Sequence, residues 1–247
     1  MSIGSEDEFQ GMARVGHVVS ETLRAMKVAV RPGISTHELD TIGLAVFEKY
    51  GAVSAPHVFY DFPGTTLISM NDEVVHGIPG ARVVEAGDLV TLDVTAQLGG
   101  YIADAAVSVT VPTELAINRR LCACAYQALR AALKVAKAGR PIHVIGRAIE
   151  QVVTEWGFSV IPDLSGHGIG RVIHEEPNVL NFYHPKDTQL LTDGLVITIE
   201  PIICAGQGEV FEAGDGWTVK TIDGSMAAHF EHTLVITRGK PIVLTAA

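Results

Sequence analysis

Residues 87–93 read GDLVTLD, and roughly a hundred residues later residues 193–200 read DGLVITIE. Each stretch leaves a turn that contains glycine, runs through apolar residues and ends on a carboxylate, Asp93 in the first and Glu200 in the second. Each is also preceded by a pair of helical patterns. We therefore predict two α/β halves related by duplication. A chance recurrence of the same helix–helix–strand order is the alternative, and the matching carboxylates favour duplication.

The helical patterns recur together with the strands. Between residues 9 and 30, apolar residues return every three or four positions, which is the spacing of one helix face. Ser35 and Glu38 then form a capping box that opens a second helix. The second half repeats this helix pair over residues 121–139 and 145–157. Two helix pairs, each followed by a β-rich segment, are thus expected.

The composition limits the classes of protein to which this chain can belong. Of the 247 residues, 47% are hydrophobic and 19% are charged, so the chain can bury a sizeable core. The net charge of -10 disfavours binding to nucleic acid and to anionic membrane surfaces. Residues 6–8 are acidic, unlike a secretory leader, and no apolar run is long enough to span a bilayer. Three cysteines without framework spacing indicate a reducing compartment, so we expect a cytoplasmic protein.

Two aspartates lie within the first β-rich segment. The pattern predicts strands over residues 89–97 and 100–109, joined by a two-residue turn at residues 98–99. In that register Asp93 and Asp104 face each other across the ladder. Like charges in that position destabilise a sheet, and a bare buried carboxylate is costly. A positive charge bound between the two aspartates would relieve both costs.

Two glutamates and a histidine extend this set. Glu200 and Glu231 adjoin apolar runs in the second half, and His167 lies in the glycine-rich stretch 166–170. If the halves pack face to face, four carboxylates and one imidazole converge. Four negative charges suit two divalent cations with a bridging hydroxide. Oxygen ligands with a single nitrogen favour Mn, Fe, Co or Zn.

Together, several stretches resemble type I methionine aminopeptidases, and the resemblance covers residues 9–238. The stretches are NDEVVHGIP at 71–79, the aspartates at 93 and 104, GHGIGRVIHEEP at 166–177, TIEP at 198–201, GWTVKT at 216–221 and EHT at 231–233. The resemblance implies an α/β (α+β) fold of the duplicated "pita-bread" type, in which helices lie outside a curved antiparallel sheet and two pseudo-symmetric halves hold a central metal site. It implies one catalytic domain, residues 9–247, with halves at 9–112 and 113–238, after a short tail at 1–8.

The resemblance also implies roles for the five candidate ligands. Asp93 would bind one of two divalent metal ions, and Asp104 and Glu231 would bridge both. His167 and Glu200 would bind the second ion, and Glu200 would also move protons during catalysis.

Two further histidines would stand outside this metal shell. The resemblance implies that His76 and His174 position the scissile amide and stabilise the tetrahedral intermediate. Without the surrounding motifs, His76 would be interpreted as a turn residue before Gly77, and His174 as a cap beside Glu175. The other histidines match no ligand spacing and are assigned to the surface or to packing: His17, His37, His57, His143, His184, His229 and His232.

The sequence departs from the family's pattern at the expected side-chain pocket. Residues 59–63 read FYDFP where the family has a loop like Tyr-His-Gly-Tyr-Pro, so that Tyr60 replaces a histidine, and Ile173 stands where an aromatic residue is typical. Leu67 could equally be a core residue. We expect methionine to remain preferred, with more tolerance for leucine or norleucine. The candidate pocket walls, which would bind the substrate with His76 and His174, are Phe59, Phe62, Leu67, Ile173 and Trp217.

The predicted function is that of a metal-dependent aminopeptidase, which removes the N-terminal methionine from peptides and nascent proteins. One alternative is a same-fold peptidase with another first-residue preference, such as a prolidase, although prolidases carry a large extra N-terminal domain. Another is a non-catalytic peptide-binding protein, which the retention of all five ligands disfavours. The expected partners are peptide and nascent-chain N-termini, with no nucleic acid and no membrane. The chain is expected to be a monomer without the Cys/His-rich extension of the eukaryotic type I enzymes.

Overall fold

The computed structural model describes residues 1–113 and 115–246. The helices in these ranges are α1 (Glu6–Ala29), α2 (Thr36–Tyr50), α3 (Ala55–Tyr60), α4 (Ala116–Val135) and α5 (His143–Glu155). The strands are β1 (Val53–Ser54), β2 (Leu67–Met70), β3 (Glu73–Val75), β4 (Leu89–Leu98), β5 (Tyr101–Thr110), β6 (Ser159–Val160), β7 (Ser165–Gly168), β8 (Glu175–Leu180), β9 (Val196–Ile199), β10 (Ile202–Cys204), β11 (Val210–Glu212), β12 (Val219–Thr221), β13 (Ala227–His229), β14 (His232–Val235) and β15 (Ile242–Val243).

The two predicted helix pairs are confirmed as α1–α2 and α4–α5. α1 begins earlier than the apolar pattern indicated, because Ser5 caps it by accepting a hydrogen bond from the Glu8 N–H at 3.3 Å. α2 opens with the predicted capping box, in which Ser35 and Glu38 hydrogen-bond to each other's backbone N–H. Within the described ranges, none of these helices is long and apolar enough to cross a membrane.

Each half contains an antiparallel sheet covered by its helix pair. In the first half, β4 pairs with β5, β1 and β2, and residues such as Leu92 pack against Met12 and the rest of α1 and α2. In the second half, the order is β15-β14-β9-β7-β8, and Ile197 packs with Leu121 and Ile145 of α4 and α5. Since side chains alternate along a strand, Asp93 points away from the helices that cover Leu92. The uncovered faces are therefore free to form a central site.

The two halves join along a seam between residues 104–108 of β5 and residues 229–233. The Asp104 N–H donates to the Thr233 hydroxyl oxygen at 2.8 Å, and that hydroxyl donates back to the Asp104 carbonyl oxygen at 2.7 Å. The Glu231 N–H donates to the Ala106 carbonyl oxygen at 3.0 Å. These bonds set the backbone of Asp104 beside that of Glu231.

The predicted register of β4 and β5 is wrong. The turn lies one residue later, at residues 99–100, and Asp93 pairs with Ala106 while Asp104 pairs with Thr95. The reason is that a two-residue hairpin turn of this kind needs positive φ at both central positions. Two glycines, with φ of 59° and 80°, tolerate this conformation and a leucine does not. The two aspartates are thus diagonal neighbours on one face of the hairpin.

The residues before α1, which the sequence analysis predicted to be a tail, pair with the second half. The Ile3 N–H donates to the Gly194 carbonyl oxygen at 2.8 Å, and the Val196 N–H donates to the Met1 carbonyl oxygen at 2.9 Å. This segment therefore links the start of the chain to the strand that leads to Glu200.

Candidate metal centre

One cavity of about 210 Å³ brings the candidate ligands together. All five predicted ligands line it, together with His76 and His174. The ligand atoms of Asp104, His167 and Glu231 lie within 4.8 Å of one another, and His167 Nε2 lies 3.9 Å from a Glu200 carboxylate oxygen. The predicted ligands that line the cavity are Asp93, Asp104, His167, Glu200 and Glu231.

The ligands come from strands of both halves. Asp93 lies on β4 and Asp104 on β5, while His167 lies on β7. Glu200 directly follows β9, and Glu231 directly precedes β14. Since β9 and β14 pair antiparallel, with His232 opposite Ile199, the two glutamates come to the same end of the strand pair. Strand ends and the hairpin face thus supply a rigid set of donors.

The buried carboxylates need a positive charge. Burial and the neighbouring carboxylates raise the pKa values of Asp93 and Glu231 well above their usual range. Burial raises the pKa of Glu200 to about 8 and that of Asp104 to about 6. Among the described residues, one oxygen each of Asp93, Asp104 and Glu231 is buried without a hydrogen-bond partner. Hard oxygen donors crowded in this way fit divalent cations.

His167 has one ring nitrogen available to bind a metal ion. Burial and then His174 lower the pKa of His167 to about 4, so its ring is neutral at neutral pH. Its Nδ1 lies 2.9 Å from the Gly168 carbonyl oxygen, which only an N–H at Nδ1 can satisfy. The bare Nε2 is therefore the nitrogen that faces Glu200 and can bind a metal.

His76 and His174 lie at the edge of the carboxylate cluster. His76 follows β3 with a positive φ of 61°, and burial and then His174 lower its pKa to about 4. Gly77 is required beside it, because a Cβ there would lie 2.2 Å from the Ile68 carbonyl oxygen. The His174 ring centroid is 4.3 Å from that of His167, and burial lowers the His174 pKa. Both histidines are thus neutral rings next to the carboxylate cluster.

His229 was assigned to the surface or to packing, and the structure places it in the cavity. Its Nε2 lies 3.5 Å from a Glu231 carboxylate oxygen, and neither ring nitrogen has a hydrogen-bond partner among the described residues. Its ligand atom lies within 4.8 Å of those of Glu200 and Glu231. Burial and then His76 lower its pKa to about 3. The signal in the sequence was its spacing of two from Glu231, which puts both side chains on one side of an extended segment.

A smaller cavity of about 90 Å³ adjoins the metal centre. Phe62 and Trp217 form one wall in edge-to-face contact, with ring centroids 5.1 Å apart. The cavity also touches both aspartates and both edge histidines. Four of the five predicted pocket residues line it, together with Pro56 and Tyr60: Phe62, Leu67, Ile173 and Trp217.

The prediction that Phe59 lies with Phe62 on a loop is wrong. Phe59 belongs to helix α3, is 38% exposed and does not line either of these cavities. The helix ends at Asp61, whose φ of 59° reverses the chain direction. Phe62 therefore lines the small cavity without Phe59, and Tyr60 takes the place at the cavity wall.

We expect the metal-free protein to lose stability as the pH rises from 7 to 9. A carboxylate with a raised folded-state pKa, such as Glu200, holds a proton that the unfolded chain releases, and this stabilisation disappears as the pH passes the folded pKa. The free energy of unfolding should fall by about 1–3 kcal/mol across this range. His76 and His167 are neutral in both states above pH 7 and do not oppose the trend.

Urea denaturation with and without a chelator measures this slope. Metal displaces the protons on the carboxylates, so the metal-loaded protein should lack the decrease. The same slope with metal bound would assign it to groups outside the centre.

Comparison with known proteins identifies relatives that are similar in sequence and in fold. The chain is 46% identical over 247 residues to methionine aminopeptidase 2 of Bacillus subtilis, with 99% of each chain covered. The crystal structure of the methionine aminopeptidase of Thermotoga maritima superposes with a TM-score of 0.96 at 34% identity, over 100% of both chains. The prolidase of Pyrococcus furiosus has a TM-score of 0.80 at 22% identity, and 65% of that chain is covered. These similarities confirm the predicted pita-bread fold.

The family follows from a match over most of the chain. Residues 10–238 match the family model described as metallopeptidase family M24. That range contains all the carboxylates and histidines of the metal centre. The chain therefore belongs to metallopeptidase family M24, a family of metal-dependent peptidases.

Proposed function

We propose that this protein is an aminopeptidase that removes the N-terminal methionine from peptides and nascent proteins. The observation that carries the proposal is the adjacency of the carboxylate cavity and the small apolar cavity, which share four lining residues: His76, Asp93, Asp104 and His174. The relatives named methionine aminopeptidase, matched over nearly their full length, support it. We propose a single catalytic domain, residues 9–247, that acts as a monomer in the cytoplasm.

The proposed centre holds two divalent ions, which could be Mn, Fe, Co or Zn. Asp93 would bind one ion, His167 and Glu200 the other, and Asp104 and Glu231 would bridge them. When bound, two such ions lower the pKa of a coordinated water and stabilise both the attacking and the leaving group. The unpartnered oxygens of Asp93, Asp104 and Glu231 support this assignment, because each is a buried acceptor that a bound cation would satisfy.

The remaining steps belong to side chains of the protein. Glu200, whose carboxylate lies beside His167 in the cluster, would take a proton from the attacking water and deliver it to the leaving amine. His76 and His174 would donate hydrogen bonds to the substrate, one to the scissile amide and one to the oxyanion that forms at its carbonyl. Their position in both cavities supports contact with the first residue and with the scissile bond.

The small cavity would hold the side chain of the first residue. The part of its wall formed by Phe62, Leu67, Ile173 and Trp217 is apolar and aromatic, which suits an unbranched thioether, since sulfur packs favourably at aromatic edges. Leu67 and Ile173 are 6% and 3% exposed, so the pocket excludes water once filled. A pocket closed in this way selects by size and shape.

Ile173→Phe should narrow the preference toward methionine over leucine. A flat ring would fill the space that a branched side chain can otherwise use, and a shape change in such a pocket is worth about 1–3 kcal/mol. The ratio of kcat/KM for methionyl and leucyl peptides should therefore rise tens-fold. Ile222→Phe, at a position 59% exposed, is the matched control and should leave the ratio unchanged. An unaltered ratio in Ile173→Phe would remove Ile173 from the pocket.

A panel of peptides that differ in their first residue tests the proposed function. The protein is stripped with a chelator and reloaded with Mn, Fe, Co or Zn one at a time, and bound metal is counted. We expect cleavage after methionine at two bound ions per chain and none in the stripped protein. Cleavage only before proline would favour the prolidase alternative. Peptide binding without cleavage in every metal form would favour a binding protein.

A further inference from the structure

Tyr60, which stands where the family has a histidine, lies against His174. Its hydroxyl oxygen is 2.8 Å from Nδ1 of His174, and the two ring centroids are 5.9 Å apart with their planes at 33°. Both residues line the apolar cavity, and His174 also lines the carboxylate cavity. The hydroxyl occupies one ring nitrogen of His174, so only Nε2 is left for the reaction centre.

A short, tied helix holds Tyr60 in this position. Ser54 caps α3 by accepting a hydrogen bond from the His57 N–H at 3.4 Å, and Pro56 fixes the first turn. At the other end, the Asp61 N–H donates to the His57 carbonyl oxygen at 3.0 Å with Asp61 in the left-handed region. Tyr60, the last residue of this helix, therefore has a fixed backbone position from which its hydroxyl reaches His174.

The direction of the hydrogen bond decides what His174 can do. A neutral imidazole has one N–H and one bare nitrogen, and the partner of one nitrogen fixes the state of the other. Burial raises the pKa of Tyr60, so its hydroxyl keeps a proton to donate. If Tyr60 donates to Nδ1, the ring proton is on Nε2. The reverse direction would leave the Tyr60 hydroxyl proton without an acceptor among the described residues, because His174 Nδ1 is the only partner of that hydroxyl there.

We propose that Tyr60 is a positioning residue that holds His174 in the tautomer with its proton on Nε2. His174 then faces the scissile carbonyl as a hydrogen-bond donor and not as an additional metal ligand. This inference rests on the proposed function, because it assigns His174 a donor role in amide hydrolysis. It adds Tyr60, which is not one of the five proposed metal ligands, to the residues that support catalysis.

Nitrogen NMR of ¹⁵N-histidine protein decides the tautomer directly. The zinc-loaded protein is diamagnetic, and His174→Gln identifies the His174 signals by their loss. We expect Nε2 to be protonated and Nδ1 to be a bare acceptor. In Tyr60→Phe, which removes only the hydroxyl, both nitrogens should show averaged, mixed-tautomer shifts. A proton on Nδ1 in the unmodified protein, or shifts that Tyr60→Phe leaves unchanged, would overturn the proposal.

Kinetics supply the second readout. Tyr60→Phe should lower kcat about 10-fold or more, with KM and bound zinc unchanged, which is the scale for losing an outer-shell partner. Tyr183→Phe is the matched control, since Tyr183 is 38% exposed, contacts His143 edge-to-face and lines neither cavity. An unchanged kcat in Tyr60→Phe would refute the positioning role. If the unmodified protein cleaves no methionyl peptide, the proposed function fails, and the NMR result still decides the tautomer.

Discussion

Glu231→Gln is expected to strip the protein of metal and to reduce peptide hydrolysis by at least about 10³-fold. Glu231 is 2% exposed, faces Glu200 and Asp104, and has a carboxylate oxygen with no other partner among the described residues. The amide keeps the shape and removes the charge, so both of the proposed bridging contacts would weaken together. Loss of charge stabilisation worth several kcal/mol corresponds to a rate loss of that order, at 1.36 kcal/mol for each tenfold change.

Metal analysis after gel filtration, followed by the peptide assay with added metal, measures both effects. Glu212→Gln makes the same chemical change at an exposed position on β11 and should leave both quantities unchanged. A Glu231→Gln protein with two bound ions and normal turnover would show that Glu231 is not a ligand.

His76→Ala and His174→Ala are expected to lower kcat by about 10²-fold or more while bound metal stays unchanged. Each substitution removes a donor that is proposed to contact the substrate, and neither removes one of the five proposed ligands. The effect should appear in kcat and kcat/KM alike, because such a hydrogen bond strengthens in the transition state.

Two comparisons make this result specific. His37→Ala, at an exposed position on α2, should have no effect on kcat or on bound metal. If His76→Ala or His174→Ala instead empties the centre, that histidine is a metal ligand and its proposed role is wrong.

Local chemistry explains which parts of the fold could be predicted from the sequence. The capping box of Ser35 and Glu38 and the apolar spacing of α1 depend on neighbouring residues, so they are visible in the chain itself. The register of β4 and β5 depended on a single turn. There, the second glycine at position 100 was the decisive signal, because both central residues need positive φ.

The clustering of the candidate metal ligands was predictable for a different reason. Carboxylates such as Asp93 and Asp104 within apolar strands are costly unless something binds them, so burial itself marked them. Phe59 and His229 are not carboxylates, so the cost of burying a charge could not identify their positions. The position of Phe59 depends on where α3 ends, and that of His229 on how β13 packs against His76 and Glu231. Tertiary packing decided both, and the spacing of two between His229 and Glu231 was the one local signal for either residue.

The seam between the two halves couples ion binding at the centre to the association of the halves. Its proposed ligands lie on β4 and β5 on one side, and on β7 or next to β9 and β14 on the other. The reciprocal hydrogen bonds between Asp104 and Thr233 join the halves at the same boundary. An ion would then be held only when both halves are packed together, so its binding free energy would add to the free energy of their association. Cation binding would therefore act as a clasp that makes the two halves unfold as one cooperative unit.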